Sequence, residues 1–187
     1  MVLTFDTSPP EVTILGAESS VEMNYELYSA NVDDGYDNSL IAITWTITEP
    51  SGLTRGILQS EIVTDTSIGV EFNQSGDWNI SVLAIDSAGY YTKESVIIAV
   101  ANIPPQINFQ ASASSKEFSN QLVYDSSDTW FIDASLSLDT VNDLEGLKFN
   151  WIHGGEIVHI GPNITHLNYD ELGSSTLILQ VSDSDGA

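Results

Sequence analysis

The chain has 187 residues, with 27 Asp and Glu against 4 Lys and Arg and no cysteine, so its formal net charge is −23. A surface this acidic is unsuited to nucleic-acid phosphate or an anionic membrane, and neither disulfides nor cysteine-based zinc sites can form. A hydrophobic fraction of 42% excludes a disordered polyanion.

Taken in chain order, the first feature is Val2 to Thr7, which is strand-like and runs up to Pro9-Pro10. Glu11 to Leu15 then reads as a strand. A turn-rich acidic loop, Asn31-Val32-Asp33-Asp34-Gly35-Tyr36-Asp37, precedes a run in which Ile41, Ile43, Trp45 and Ile47 alternate with small or polar residues. That period of two marks a strand with one buried face. Trp78, Ile80, Val82 and Ala84 repeat the pattern, and Asp86-Ser87-Ala88-Gly89 turns the chain into Tyr91 to Asn102. The longest purely apolar run, Val96 to Ala101, has six residues, against the roughly 20 needed to span a bilayer. No basic stretch leading into an apolar one follows Met1.

At Pro104-Pro105 the series restarts. Gln106 to Phe109 is expected as a strand after it, matching Glu11 to Leu15 after Pro9-Pro10. Phe149-Asn150-Trp151-Ile152-His153 answers the Trp45 strand, and Leu177, Leu179 and Val181 answer the Trp78 strand. Asp183-Ser184-Asp185-Gly186 then matches the turn at Asp86. Such self-similarity predicts an all-β chain of two tandem immunoglobulin-like antiparallel β-sandwiches, residues 1–103 and 104–187. The charge is shared, with 15 acidic and 2 basic residues up to Ile103 and 12 and 2 beyond it. Residues 2–7 look like the last strand of a preceding repeat, and 104–187 looks short of its own final strand. Both features suggest a piece of a longer array. Residues 2–7 are expected as an ordinary or frayed first strand; the alternative is that they fill the vacant strand position in the second unit of another molecule.

These residues resemble the PKD repeat, the immunoglobulin-like module named after polycystic kidney disease. The resemblance rests on Phe131 to Asp139, Leu147 to Trp151, Asn163 to Tyr169 and Gly173 to Val181. Where the family has Trp-x-Phe-Gly-Asp-Gly, this chain reads Trp45-Thr46-Ile47-Thr48 and Trp151-Ile152-His153-Gly154. The resemblance implies a non-catalytic spacer or adhesive module of a larger extracellular or cell-surface protein, most often prokaryotic. A polymer-binding accessory domain of a secreted hydrolase, taking collagen or polysaccharide, is the alternative. Implied partners are neighbouring repeats, a second copy through strand exchange, or an extracellular polymer, with no nucleic acid and no membrane insertion.

The loops before the Trp strand and after the second alternating strand share one end of a sandwich of this topology. Asn31, Asp33, Asp34, Asp37 and Asp86 should therefore meet in the first unit, and Asp139, Asn142, Asp143, Asp183 and Asp185 in the second. Oxygen-rich sets of this kind suit calcium, although no cofactor is required by the fold. Asp and Asn also favour turns for their own backbone reasons, so solvated turn residues are the other reading. His153, Glu156 and His159 do not form a metal set by spacing alone, and no nucleophile motif marks a catalytic residue. Trp45 and Trp151 are expected in the cores. Tyr90, Tyr91 and Trp130 are the aromatics best placed for exposure, although packing roles suit them too. The Asn-x-Ser/Thr sequons at Asn73, Asn79 and Asn163 carry little weight in so Ser/Thr-rich a chain.

Overall fold

The computed structural model describes residues 6–35, 41–112, 116–118, 121–123, 131–165 and 176–186. The protein is all-β, built from antiparallel sheets of the immunoglobulin-like sandwich type. Two compact units divide it, Met1–Asn102 and Ile103–Ala187.

In the first unit the strands are β1 (Glu11–Leu15), β2 (Ser19–Val21), β3 (Tyr25–Asp33), β4 (Ala42–Thr48) and β5 (Thr54–Gly56), then β6 (Ile62–Thr64), β7 (Ser67–Glu71), β8 (Gly76–Ile85) and β9 (Tyr91–Ala101). One sheet has the order β1-β3-β7-β6 and the other β2-β9-β8-β4-β5. All pairings are antiparallel except β2 with β9. Alternation explains why the sheets stack. Tyr28 and Ala30 of β3 and Ile68 and Val70 of β7 bury one face, against Trp45 and Ile47 of β4, Trp78, Ile80 and Val82 of β8 and Ile98 of β9. Phe72 joins them, edge-on to Tyr28 at 6.4 Å between ring centroids and to Trp78 at 5.3 Å. Gly16 lets Tyr28 lie flat over the chain, since a Cβ there would run into the ring. The phenol then donates to the Ala17 carbonyl at 3.0 Å.

The second unit contains β10 (Gln110–Ser112), β11 (Lys116–Phe118), β12 (Gln121–Val123), β13 (Phe131–Asp133), β14 (Lys148–His153), β15 (Glu156–Ile160), β16 (Asn163–Thr165) and β17 (Leu177–Ser182). Its three-stranded sheets run β10-β13-β16 and β15-β14-β17, beside a β11-β12 hairpin. The described core gathers Ile132, Ala134, Phe149, Trp151, Ile164 and Val181.

One expected strand is displaced. Gln106 to Phe109 makes only an isolated bridge, Gln106 to Leu138, and the first strand begins at Gln110. The buried Ser137 explains this. Its hydroxyl accepts from Asn108 N at 3.2 Å and donates to Asn108 O at 3.3 Å, and the Asn108 side chain donates to Leu136 O. These local bonds occupy backbone groups that a strand ladder would need. Of the segment 2–7, residues 2–5 lie outside the described residues, and Asp6 and Thr7 belong to no strand.

Candidate functional site

Strand register places the carboxylates of unit one. β1 begins where β3 ends, with Glu11 opposite Asp33. β4 and β9 both begin where β8 ends, with Ala42 and Tyr91 each opposite Ile85. One pole of the sandwich therefore receives the incoming chain, the β3–β4 loop and the β8–β9 turn.

Asp6, Asp34 and Asp86 meet there, each with one carboxylate oxygen within 4.8 Å of the others. Local bonds aim them. Asp33 Oδ1 accepts from Gly35 N at 2.9 Å and bends the loop around Asp34. Asp6 Oδ1 accepts from Ser8 N at 3.2 Å, just before Pro9-Pro10. The turn at Asp86 closes through Asp86 N to Tyr90 O at 3.0 Å and Gly89 N to Asp86 O at 3.3 Å, with Gly89 at φ 91°. Asp86 Oδ1 also accepts from Tyr90 N at 2.9 Å. Asp86 is only 6% exposed and Asp34 9%. Among the described residues, Asp86 Oδ2 is buried and accepts no hydrogen bond.

Unit two builds a corresponding pole, where β14 begins opposite the end of β17 at Lys148 and Ser182. Here the buried Asp143 and Asp183 have donors, while among the described residues Asp139 Oδ2 is buried and accepts no hydrogen bond. Asp143 accepts from the Thr140 hydroxyl at 2.8 Å and the Ser184 hydroxyl at 3.0 Å. Asp183 Oδ1 accepts from Asp185 N at 2.9 Å and Gly186 N at 2.7 Å. Asp139 Oδ1 accepts from Thr140 N at 2.8 Å. Burial pushes the Asp139 carboxyl above the usual carboxylate range, the Thr140 amide opposes this, and the charges of Asp183, Asp143 and Asp185 add to the rise.

Of the ten residues expected at metal sites, Asp34 and Asp86 come together in unit one, and Asp139, Asp143, Asp183 and Asp185 in unit two. Asp33 shapes its loop through the bond to Gly35. Asn31 is an exposed β3 residue opposite Thr13, and Asn142 is an exposed turn residue. Asp37 lies outside the described residues. Asp6 was not among the ten. The signal for it was topological, since the incoming chain must pass the same pole.

On the β14–β15 hairpin, His153 stands opposite Glu156 and His159 opposite Trp151. Trp45 and Trp151 are each 3% exposed and belong to the cores. Tyr90 and Tyr91 flank the unit-one pole and are 43% and 66% exposed. Trp130 and His166 lie outside the described residues. No described helix is long and apolar enough to cross a membrane.

The chain matches no protein-family model and no curated protein. Among solved structures it is similar to the PKD domain of an M14-like peptidase from a Thermoplasmatales archaeon, at 14% identity and TM-score 0.37, over 51% of this chain and 98% of that one. It is also similar to fibronectin(III)-like modules of Clostridium thermocellum CbhA, at 15% identity and TM-score 0.34, over 95% and 88%. A third likeness is to Bacteroides ovatus SGBP-B in complex with a mixed-linkage heptasaccharide, at 15% identity and TM-score 0.41, over 97% of this chain and 45% of that one.

Proposed function

We propose that this chain is a non-catalytic spacer or adhesive segment of a larger extracellular or cell-surface protein, made of two copies of one PKD-like sandwich. The path of the backbone through unit one carries the reading. The chain arrives at the carboxylate pole, and β9 starts there opposite Ile85 and runs for eleven residues to Ala101. At about 3.3 Å per residue, that strand alone sets the two chain ends roughly 35 Å apart. A module whose ends leave from opposite poles joins in series and transmits load along its strands. The two-copy reading is supported by strand order. β1-β3-β7 and β5-β4-β8 of unit one correspond to β10-β13-β16 and β15-β14-β17 of unit two. The dense negative charge keeps such a series soluble and apart from its neighbours by self-repulsion.

Single-molecule pulling of the full chain tests this. A spacer of two sandwiches gives two force-resisting unfolding events, each releasing roughly 300 Å of contour at about 3.6 Å per residue. One event, or extension without resistance, overturns it.

The exposed Tyr90-Tyr91 pair favours a second reading, a polymer-binding accessory domain for polysaccharide or collagen. Retention on an immobilised glycan or collagen that is lost in Tyr90→Ala/Tyr91→Ala supports it. Equal elution of the variant and the parent retires it.

A further inference from the structure

We propose that unit one holds a calcium ion between Asp6, Asp34 and Asp86, tying the incoming chain to the β3–β4 and β8–β9 loops. The inference is independent of the spacer reading. It rests on two observations. One is the convergence of three carboxylates on one pole, with an oxygen of each within 4.8 Å of the others. Two ligands of one calcium ion at about 2.3–2.6 Å can lie no further apart than about 5 Å, so the set is compatible with one ion. The second observation is the Asp86 side chain. It is 94% buried, its Oδ1 is held by Tyr90 N, and among the described residues its Oδ2 accepts nothing. A carboxylate oxygen taken out of water without a donor or cation is costly, and a bound cation removes that cost. Arg55, the chain's one arginine, is committed elsewhere, to Glu61 at 2.7 Å and Glu49 at 3.3 Å.

The donor set selects the ion. Three carboxylates with no nitrogen or sulfur ligand suit a hard cation. They are presented by two loops and an irregular segment, so calcium's variable geometry fits better than magnesium's strict octahedron. Backbone carbonyls and water would complete its shell.

The test is calorimetric titration of the full chain with calcium chloride after chelation, at matched ionic strength, beside thermal melts. The parent, Asp86→Asn and Asp6→Asn are compared. Asp86→Asn keeps an acceptor for Tyr90 N, so it folds, which its melt in chelator checks. The parent binds calcium, and its unit-one transition rises by on the order of 10 °C at a free-ion level about 100 times Kd. Asp86→Asn loses one bound ion per chain and that rise, while Asp6→Asn weakens binding at least about tenfold. Three outcomes overturn the proposal: no heat and no shift in the parent, unchanged stoichiometry in Asp86→Asn, or an equal rise with magnesium.

Discussion

At the scale of single residues, the three described tryptophans differ in what their indole N–H groups meet. Trp78 Nε1 donates to Gln74 O at 2.8 Å and Trp151 Nε1 to Gly161 O at 2.9 Å. Among the described residues Trp45 Nε1 is buried without a partner. Replacing a donor that bonds nothing removes a desolvation cost, whereas replacing a bonded one strands its acceptor. Trp45→Phe should therefore cost about 1 kcal/mol less than Trp78→Phe or Trp151→Phe in denaturant unfolding. Tyr28 gives a prediction in alkali. Burial, and then the Glu26 charge, push its phenol from 10.0 up to about 12. The fold favours the neutral phenol, so its contribution is complete below the unfolded pKa and lost as pH rises through the folded one. Tyr28→Phe should lose about 1 kcal/mol at neutral pH, with the Ala17 bond, and should flatten the alkaline fall in unfolding free energy. Asp139 runs the same way on the acid side. Its raised pKa means that ionisation costs stability, so the benefit of the protonated form fades as pH rises through the raised value. In chelator at neutral pH, Asp139→Asn should raise the unit-two melting temperature, and a lower one would contradict the crowding of carboxylates there.

Among elements, much was legible because a strand exposes its pattern directly. Ile43, Trp45 and Ile47 face inward in β4, and Trp78, Ile80, Val82 and Ala84 are all buried in β8. The Asp86 turn and the acidic loop after β3 were legible too, since turn residues between alternating runs mark sandwich ends. What escaped were effects of tertiary context. Gln106 to Phe109 has the composition of a strand, yet Ser137, some thirty positions on, takes both backbone groups of Asn108. Asp6 was missed because its segment looked like a strand, and only the register of Glu11 with Asp33 places it beside Asp34. Nor does sequence show which carboxylate oxygens find donors, as those of Asp143 do and, among the described residues, Asp86 Oδ2 does not. The elements also differ in protection. β8 is paired on both edges, by β4 and β9, while among the described residues β17 is paired by β14 alone. Amides of β17 should exchange with solvent at least about tenfold faster than those of β8, because a strand with one partner opens more readily. Equal protection would mean that the second edge of β17 is covered.

For the molecule as a whole, charge is the dominant fact. With a net −23 shared by both units, like-charge repulsion opposes the compact state everywhere and is strongest where carboxylates converge. Monovalent salt should raise both unit melting temperatures modestly by screening. Calcium should act beyond screening and at one pole of unit one. The most direct measurement is a residue-resolved NMR titration of the full chain with calcium at constant ionic strength. The account predicts saturable amide shifts confined to Asp6–Ser8, Asp33–Gly35 and Asp86–Tyr90 within unit one, with the rest of β8 and β9 unmoved. Diffuse, unsaturating shifts across acidic residues throughout the chain would contradict it.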